Sequence, residues 1–110
     1  MRLVLGSLAF LFVGAILLGC SRRGDDAMMR GQALFDLHCA SCHEGANPDL
    51  LKQPPRLHHL FMNKTLPGGT PADDEHVRQT ILQGKGIMPP CEQSLKKQDI
   101  DDLLKYLHTR

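Results

Sequence analysis

"LHCASCHEG", residues 37–45, holds two of the four cysteines of this 110-residue chain, three positions apart, with His43 directly after the second. Cysteines at this spacing can form a redox dithiol, half of a zinc site or the attachment point of a haem. A redox dithiol has no use for the histidine. A zinc site needs a second pair of Cys or His ligands at matching spacing, and the only later cysteine is Cys91, alone. The pattern Cys39-x-x-Cys42-His43 therefore reads as c-type haem attachment, with the dithiol and zinc readings as alternatives. Positions three and four apart share one face of a helical turn, so both thiols and the imidazole project to the same side. The thiols can then add to the haem vinyl groups as thioethers while His43 ligates the iron.

Six-coordinate haem iron needs a ligand on its other face. "GKGIMPP", residues 84–90, places Met88 between Gly86 and two prolines. A methionine is commonly gap-filling core, but a Gly- and Pro-rich loop is a poor place for core and a good one for holding a thioether rigidly. A His/Met pair also raises the reduction potential. His58 and His59 compete for the position and would give a bis-His site at lower potential; either can equally be a solvated loop residue. Met28, Met29 and Met62 read as helix-face packing.

Length allows one domain. Residues 3–19 form a charge-free apolar run behind Arg2, and Arg22 and Arg23 follow it. A run that short at the N-terminus reads as an export signal before a spanning helix. Its removal takes Arg2 with it, leaving twelve basic residues against twelve acidic ones. A neutral chain without a basic stripe gives no footprint for nucleic acid. One Tyr, four Phe and no Trp make a thin aromatic core, and Phe10 and Phe12 leave with the signal. A domain this small and this poor in large apolar side chains calls for a covalent or metal staple.

The rest of the chain reads as small and mostly helical. "SRRGDD", 21–26, reads as tether, with a helix starting behind Asp25 or Asp26. Met28, Gly31, Leu34 and Phe35 give that helix an apolar face that runs into Cys39. Residues 45–69 carry Pro48, Pro54, Pro55, Pro67 and three glycines, which predicts irregular chain with a short helix near 58–62. Thr70–Pro71 or Asp73 offers the next helix start, Val77 and Ile81 its apolar side, and Gly84 its end. Ile100, Leu103, Leu104 and Leu107 then form the stripe of an amphipathic helix. The charged runs "DDEH" and "LKKQDIDD" read as solvated helix faces.

Two resemblances extend this reading. "LLGC", 17–20, resembles the bacterial lipobox, in which cleavage before the cysteine is coupled to diacylglycerol attachment at its thiol. It implies a lipoprotein-type signal over 1–19, a lipidated Cys20, a flexible tether over 20–26 and a domain over 27–110 at the periplasmic face of a bacterial membrane. An uncleaved N-terminal anchor is the alternative. From about Gly31 onward the chain resembles the small mono-haem, His/Met-ligated c-type cytochromes, on "GQALFDLHCASCHEG", "PPRL", "GKGIMPP" and "IDDLLKYL". The resemblance implies an all-α fold in which the N- and C-terminal helices pack together around one covalent haem c. Gly31 and Phe35 would pack against the last helix at Leu103 and Tyr106, and Pro55, with Leu57 at the family's leucine position, would accept a hydrogen bond from His43. It also implies an electron carrier rather than an enzyme. Such a carrier docks briefly with redox partner proteins at the haem edge, free or as a subunit of an oxidoreductase complex. A haem-based ligand sensor or peroxidase-like enzyme with a displaceable Met88 is the alternative. Two features depart from the family: Lys96 stands where relatives open the last helix with Ser or Thr, so that first turn is expected to be loosely capped. Cys91 is unpaired, expected as a small semi-buried residue, with an intermolecular disulfide or a reactive thiol as the alternatives.

Overall fold

The computed structural model describes residues 23–110. The expected signal segment 1–19, Cys20 and the first tether residues lie outside the described residues. Helix α1 covers residues 23–38, so residues 23–26, expected as tether ahead of a helix start at Asp25 or Asp26, are helical instead. A single turn, α2 (Ala40–His43), follows. A 3-10 turn spans Leu60–Met62, α3 spans Asp74–Gln83 and α4 spans Lys97–Leu107. Among the described residues β-structure is limited to the isolated bridges Thr65–Pro71 and Lys85–Met88.

The all-α fold is organised by the seam between α1 and α4. The α4 stripe is buried as its period predicts, with Ile100, Leu103, Leu104 and Leu107 all inside. α1 answers with Ala27, Gly31 and Phe35 at i, i+4 and i+8. Ala27, not Met28, begins the buried face, and Met29 and Met62 are 62% and 82% exposed rather than packed. Gly31 marks the crossing point. A Cβ there would lie 2.1 Å from the Asp102 carbonyl oxygen and 2.9 Å from Tyr106 Cβ. Gly31→Ala should therefore force the helices apart and lower stability by about 1–3 kcal/mol, read as a fall in the thermal unfolding midpoint; an unchanged midpoint would mean that the seam lies elsewhere.

One turn away, Phe35 is fully buried and its ring meets that of Tyr106 at 5.5 Å between centroids, tilted by 57°. Asp102, expected on a solvated face, is 1% exposed. A buried carboxylate is tolerable only when its oxygens are occupied. Here Arg30 Nε donates to Oδ2 at 2.8 Å across the seam and Gln98 Nε2 to Oδ1 at 3.0 Å.

α3 closes the core with Val77 and Ile81. Its start is fixed by Asp73, whose Oδ1 accepts from the His76 backbone N–H at 2.9 Å. That bond is the main cause holding the Asp73 carboxyl below its ordinary range. α3 and α4 are tied by Arg78 Nη2 to Asp101 Oδ1 at 2.6 Å. Hydrogen bonds from Lys97 and then Arg78 likewise lower the Asp101 pKa. The first turn of α4 is better satisfied than its sequence suggests. Lys96 has no side-chain acceptor, but Asp99 Oδ2 accepts from the Lys96 backbone N–H at 2.8 Å, the reciprocal half of a capping box.

Candidate haem site

α2 continues α1 after a kink at Cys39, whose φ of −120° departs from helical values. The Cys39 N–H still reaches back to Phe35 O at 2.8 Å, and the His43 N–H bonds Cys39 O at 2.9 Å. This one turn therefore carries Cys39, Cys42 and His43 on a rigid extension of the seam. His43 is 9% exposed, and both cysteines are half-buried with free thiols.

His43 Nδ1 lies 2.7 Å from the Pro55 carbonyl oxygen. The carbonyl can only accept, so Nδ1 carries a proton, and in the neutral ring the lone pair lies on Nε2. Among the described residues Nε2 has no hydrogen-bond partner. Pro54 and Pro55 restrict the backbone that presents the carbonyl. An outer hydrogen bond of this kind fixes the ring's tautomer and raises its basicity as a ligand.

Burial pushes the Cys39 thiol up to about 11, with smaller contributions from the nearby Cys91 and Cys42 thiolates. The site around Cys39 is thus apolar, hostile to a thiolate and indifferent to a neutral thioether. Cys91 is half-buried against the same core as Met88, with its sulfur 4.0 Å from Pro89 O. That is the small semi-buried residue expected of it.

Met88 sits in a tight turn. Lys85 N–H donates to Met88 O at 3.1 Å and Met88 N–H returns to Lys85 O at 3.0 Å. Its side chain packs against the same core as Cys39 and Leu57. The competing histidines are placed differently. His58 is exposed, with Nε2 3.1 Å from Arg110 Nη2 and 3.9 Å from Glu44 Oε1. His59 is also exposed, in a left-handed conformation (φ 55°), and its N–H donates to Arg110 O at 2.8 Å.

Arg110 was not singled out by sequence. Its guanidinium lies 4.2 Å over the Phe35 ring, bonds the Tyr106 hydroxyl at 2.9 Å and pairs with Glu44, the residue after His43. Only the aromatic spacing hinted that such a cation would find a ring to cover.

The donor set fits a covalent haem. Two thiols and one imidazole share a turn, the imidazole has its distal nitrogen free, and a thioether stands on a separate rigid turn against the same core. Among the described residues no three His, Cys, Asp or Glu side chains converge as a metal site.

Comparison with known proteins agrees. Residues 26–107 match the family described as cytochrome c oxidase, cbb3-type, subunit III. Cytochrome c6 of Cladophora glomerata is 31% identical over 78 residues, covering 71% of this chain and 82% of the relative. Cytochrome c6 of Chlorolobion braunii is 30% identical over 78 residues, covering 71% and 84%. No solved structure gives a significant match. The chain belongs to this family of small c-type cytochromes. Its cofactor is haem c, bound through Cys39 and Cys42, and its work is haem-based electron transfer rather than catalysis on a substrate.

Proposed function

We propose that this cytochrome is a one-electron carrier in which His43 and Met88 would hold the haem iron, tethered to the periplasmic face of a bacterial membrane by a lipid on Cys20. It serves as a carrier or subunit in a respiratory-type chain. When bound, the haem supplies an iron that cycles between Fe(III) and Fe(II). The observation that carries the reading is the 2.7 Å bond from His43 Nδ1 to Pro55 O, which leaves Nε2 free on the face shared with both thiols. Met88 supports it from the opposite segment, in a turn closed by two backbone hydrogen bonds. Two protein ligands leave no open position for substrate, which favours electron exchange over chemistry at the metal. The matched family carries the name of an oxidase subunit, which supports a place in a membrane enzyme complex. Partners would dock weakly, as small transient interfaces allow.

The test is made on protein matured with haem in a periplasmic host. The oxidised form should show the long-wavelength charge-transfer band of methionine sulfur on ferric haem and titrate as one electron at positive potential. A five-coordinate iron or a markedly negative potential would sink the reading. For the anchor, mass spectrometry of the membrane-bound protein should find an N-terminus at Cys20 carrying a diacylglycerol thioether; a chain that still begins at Met1 would indicate an uncleaved N-terminal anchor instead.

A further inference from the structure

The loop that carries Met88 leaves and returns to a single turn of α3. At its start the Gly84 N–H bonds Thr80 O at 2.9 Å, and at its end the Cys91 N–H bonds Ile81 O at 3.0 Å. Two adjacent carbonyls of α3 thus hold both ends, and the Lys85–Met88 pair closes the middle. The two ends meet at Gly84, where the returning backbone passes closest. A Cβ on Gly84 would lie 2.4 Å from Met88 O, 2.8 Å from Pro90 N and 2.9 Å from Pro89 C. These are backbone atoms, and Pro89 and Pro90 stiffen the strand that holds them, so no flexible side chain can give way. Gly84 also has φ 71° and ψ 175°, a region that only glycine occupies readily. Gly86, two residues on, has φ 58° but open space where its Cβ would be, as does Gly69 (φ 87°) in the neighbouring loop, which meets this one through the Lys85 side chain at Gly68 and not through the backbone that carries Met88.

We propose that Gly84 is a positioning residue for Met88: its missing side chain lets the Pro89–Pro90 strand close onto the end of α3 and so sets where the thioether stands. The inference rests on Met88 being the ligand. Any side chain on Gly84 must push the Met88 carbonyl outward and carry its Cα along. The loop is anchored at both ends, so the displacement has to be absorbed between residues 85 and 90, the stretch that contains Met88. Added strain elsewhere in the chain lowers stability without moving the sulfur.

The experiment compares haem-loaded wild type, Gly84→Ala, Gly86→Ala and Gly69→Ala by titrating the ferric proteins with imidazole and following the methionine charge-transfer band. An external ligand binds only the fraction with Met88 detached, so its apparent affinity reports that fraction. Gly84→Ala should bind imidazole about tenfold more tightly than wild type, in proportion to a rise in the open fraction. Gly86→Ala should change less, and Gly69→Ala should match wild type while losing thermal stability. The proposal is overturned if Gly84→Ala binds imidazole as wild type does. It is equally overturned if Gly86→Ala loosens the methionine as much, because strain in the turn would then suffice without the close approach. Absence of the band from wild type would instead refute Met88 as the ligand, a separate result. Should Gly84→Ala yield no folded holoprotein, hydrogen exchange on wild type decides. The amides of Lys85, Met88 and Cys91 should open as one unit, and independent exchange would overturn the proposal.

Discussion

Met88→Ala abolishes the methionine charge-transfer band of the oxidised protein and lowers its reduction potential. The fall should be on the order of a hundred millivolts or more, within the roughly 0.8 V over which axial ligands tune haem. The loss is expected to be complete because no other thioether among the described residues can take the place. Met29 and Met62 stand in solvent. Met28 is partly buried, but its sulfur lies 3.9 Å from the Thr109 hydroxyl at the far end of the seam. Nor can the histidines step in without rebuilding a surface cluster, since His58 contacts Arg110 and the backbone of His59 is bonded to it. Carbon monoxide should accordingly bind ferrous Met88→Ala rapidly and wild type slowly. Met88→His gives the complementary check: a second imidazole keeps the iron six-coordinate and still lowers the potential. Persistence of the band in Met88→Ala would assign the sulfur to another methionine and remove the ligand set proposed for this protein.

The second large effect falls on the fold. Phe35→Ala should cost the haem-loaded protein about 4 kcal/mol of unfolding free energy, the range for deleting a buried aromatic. For a domain of this size that corresponds to roughly 15–30 °C in Tm. Three losses combine at this position. The ring is fully buried between the helices, it packs tilted against Tyr106, and it carries the Arg110 guanidinium on its surface. Because Phe35 O also receives the Cys39 N–H, loosening this turn reaches the attachment site directly. Phe35→Leu keeps most of the apolar volume and should cost about 1–1.5 kcal/mol. A loss below about 1 kcal/mol for the alanine variant would show that the α1–α4 seam is not the centre of the core.

Much of this was open to sequence reasoning because it is written in local pattern. The α4 stripe, the Asp73 cap and the Cys39-Cys42-His43 turn each depend on residues within four positions of one another. The His43–Pro55 bond was legible only through the family resemblance, since nothing in "PPRL" alone says which carbonyl faces the imidazole. What escaped was set by contacts distant in sequence. Asp102 sits in "LKKQDIDD" and looks solvated; it is buried because α1 crosses at Gly31 and brings Arg30 to it. Met28 looked like the head of the apolar face, yet the crossing angle turns Ala27 inward instead. Lys96 looks like a missing cap because its own side chain has no acceptor, yet Asp99, three residues on, supplies one to the Lys96 backbone N–H. Arg110 carried one local signal, Tyr106 four positions earlier, while its ring partner Phe35 and its carboxylate partner Glu44 come from the other end of the domain.

The distance along the chain between the two sides of the seam has a consequence for assembly. Arg30 and Asp102 are 72 positions apart, so joining α1 to α4 closes a loop whose chain-entropy cost is about 4 kcal/mol. That cost is repaid only when both helices bury their facing residues, which slows pairing of the termini relative to contacts local in sequence. Until then the turn with Cys39 and Cys42 hangs on a helix with nothing behind it, and both thiols remain reachable by whatever delivers the cofactor.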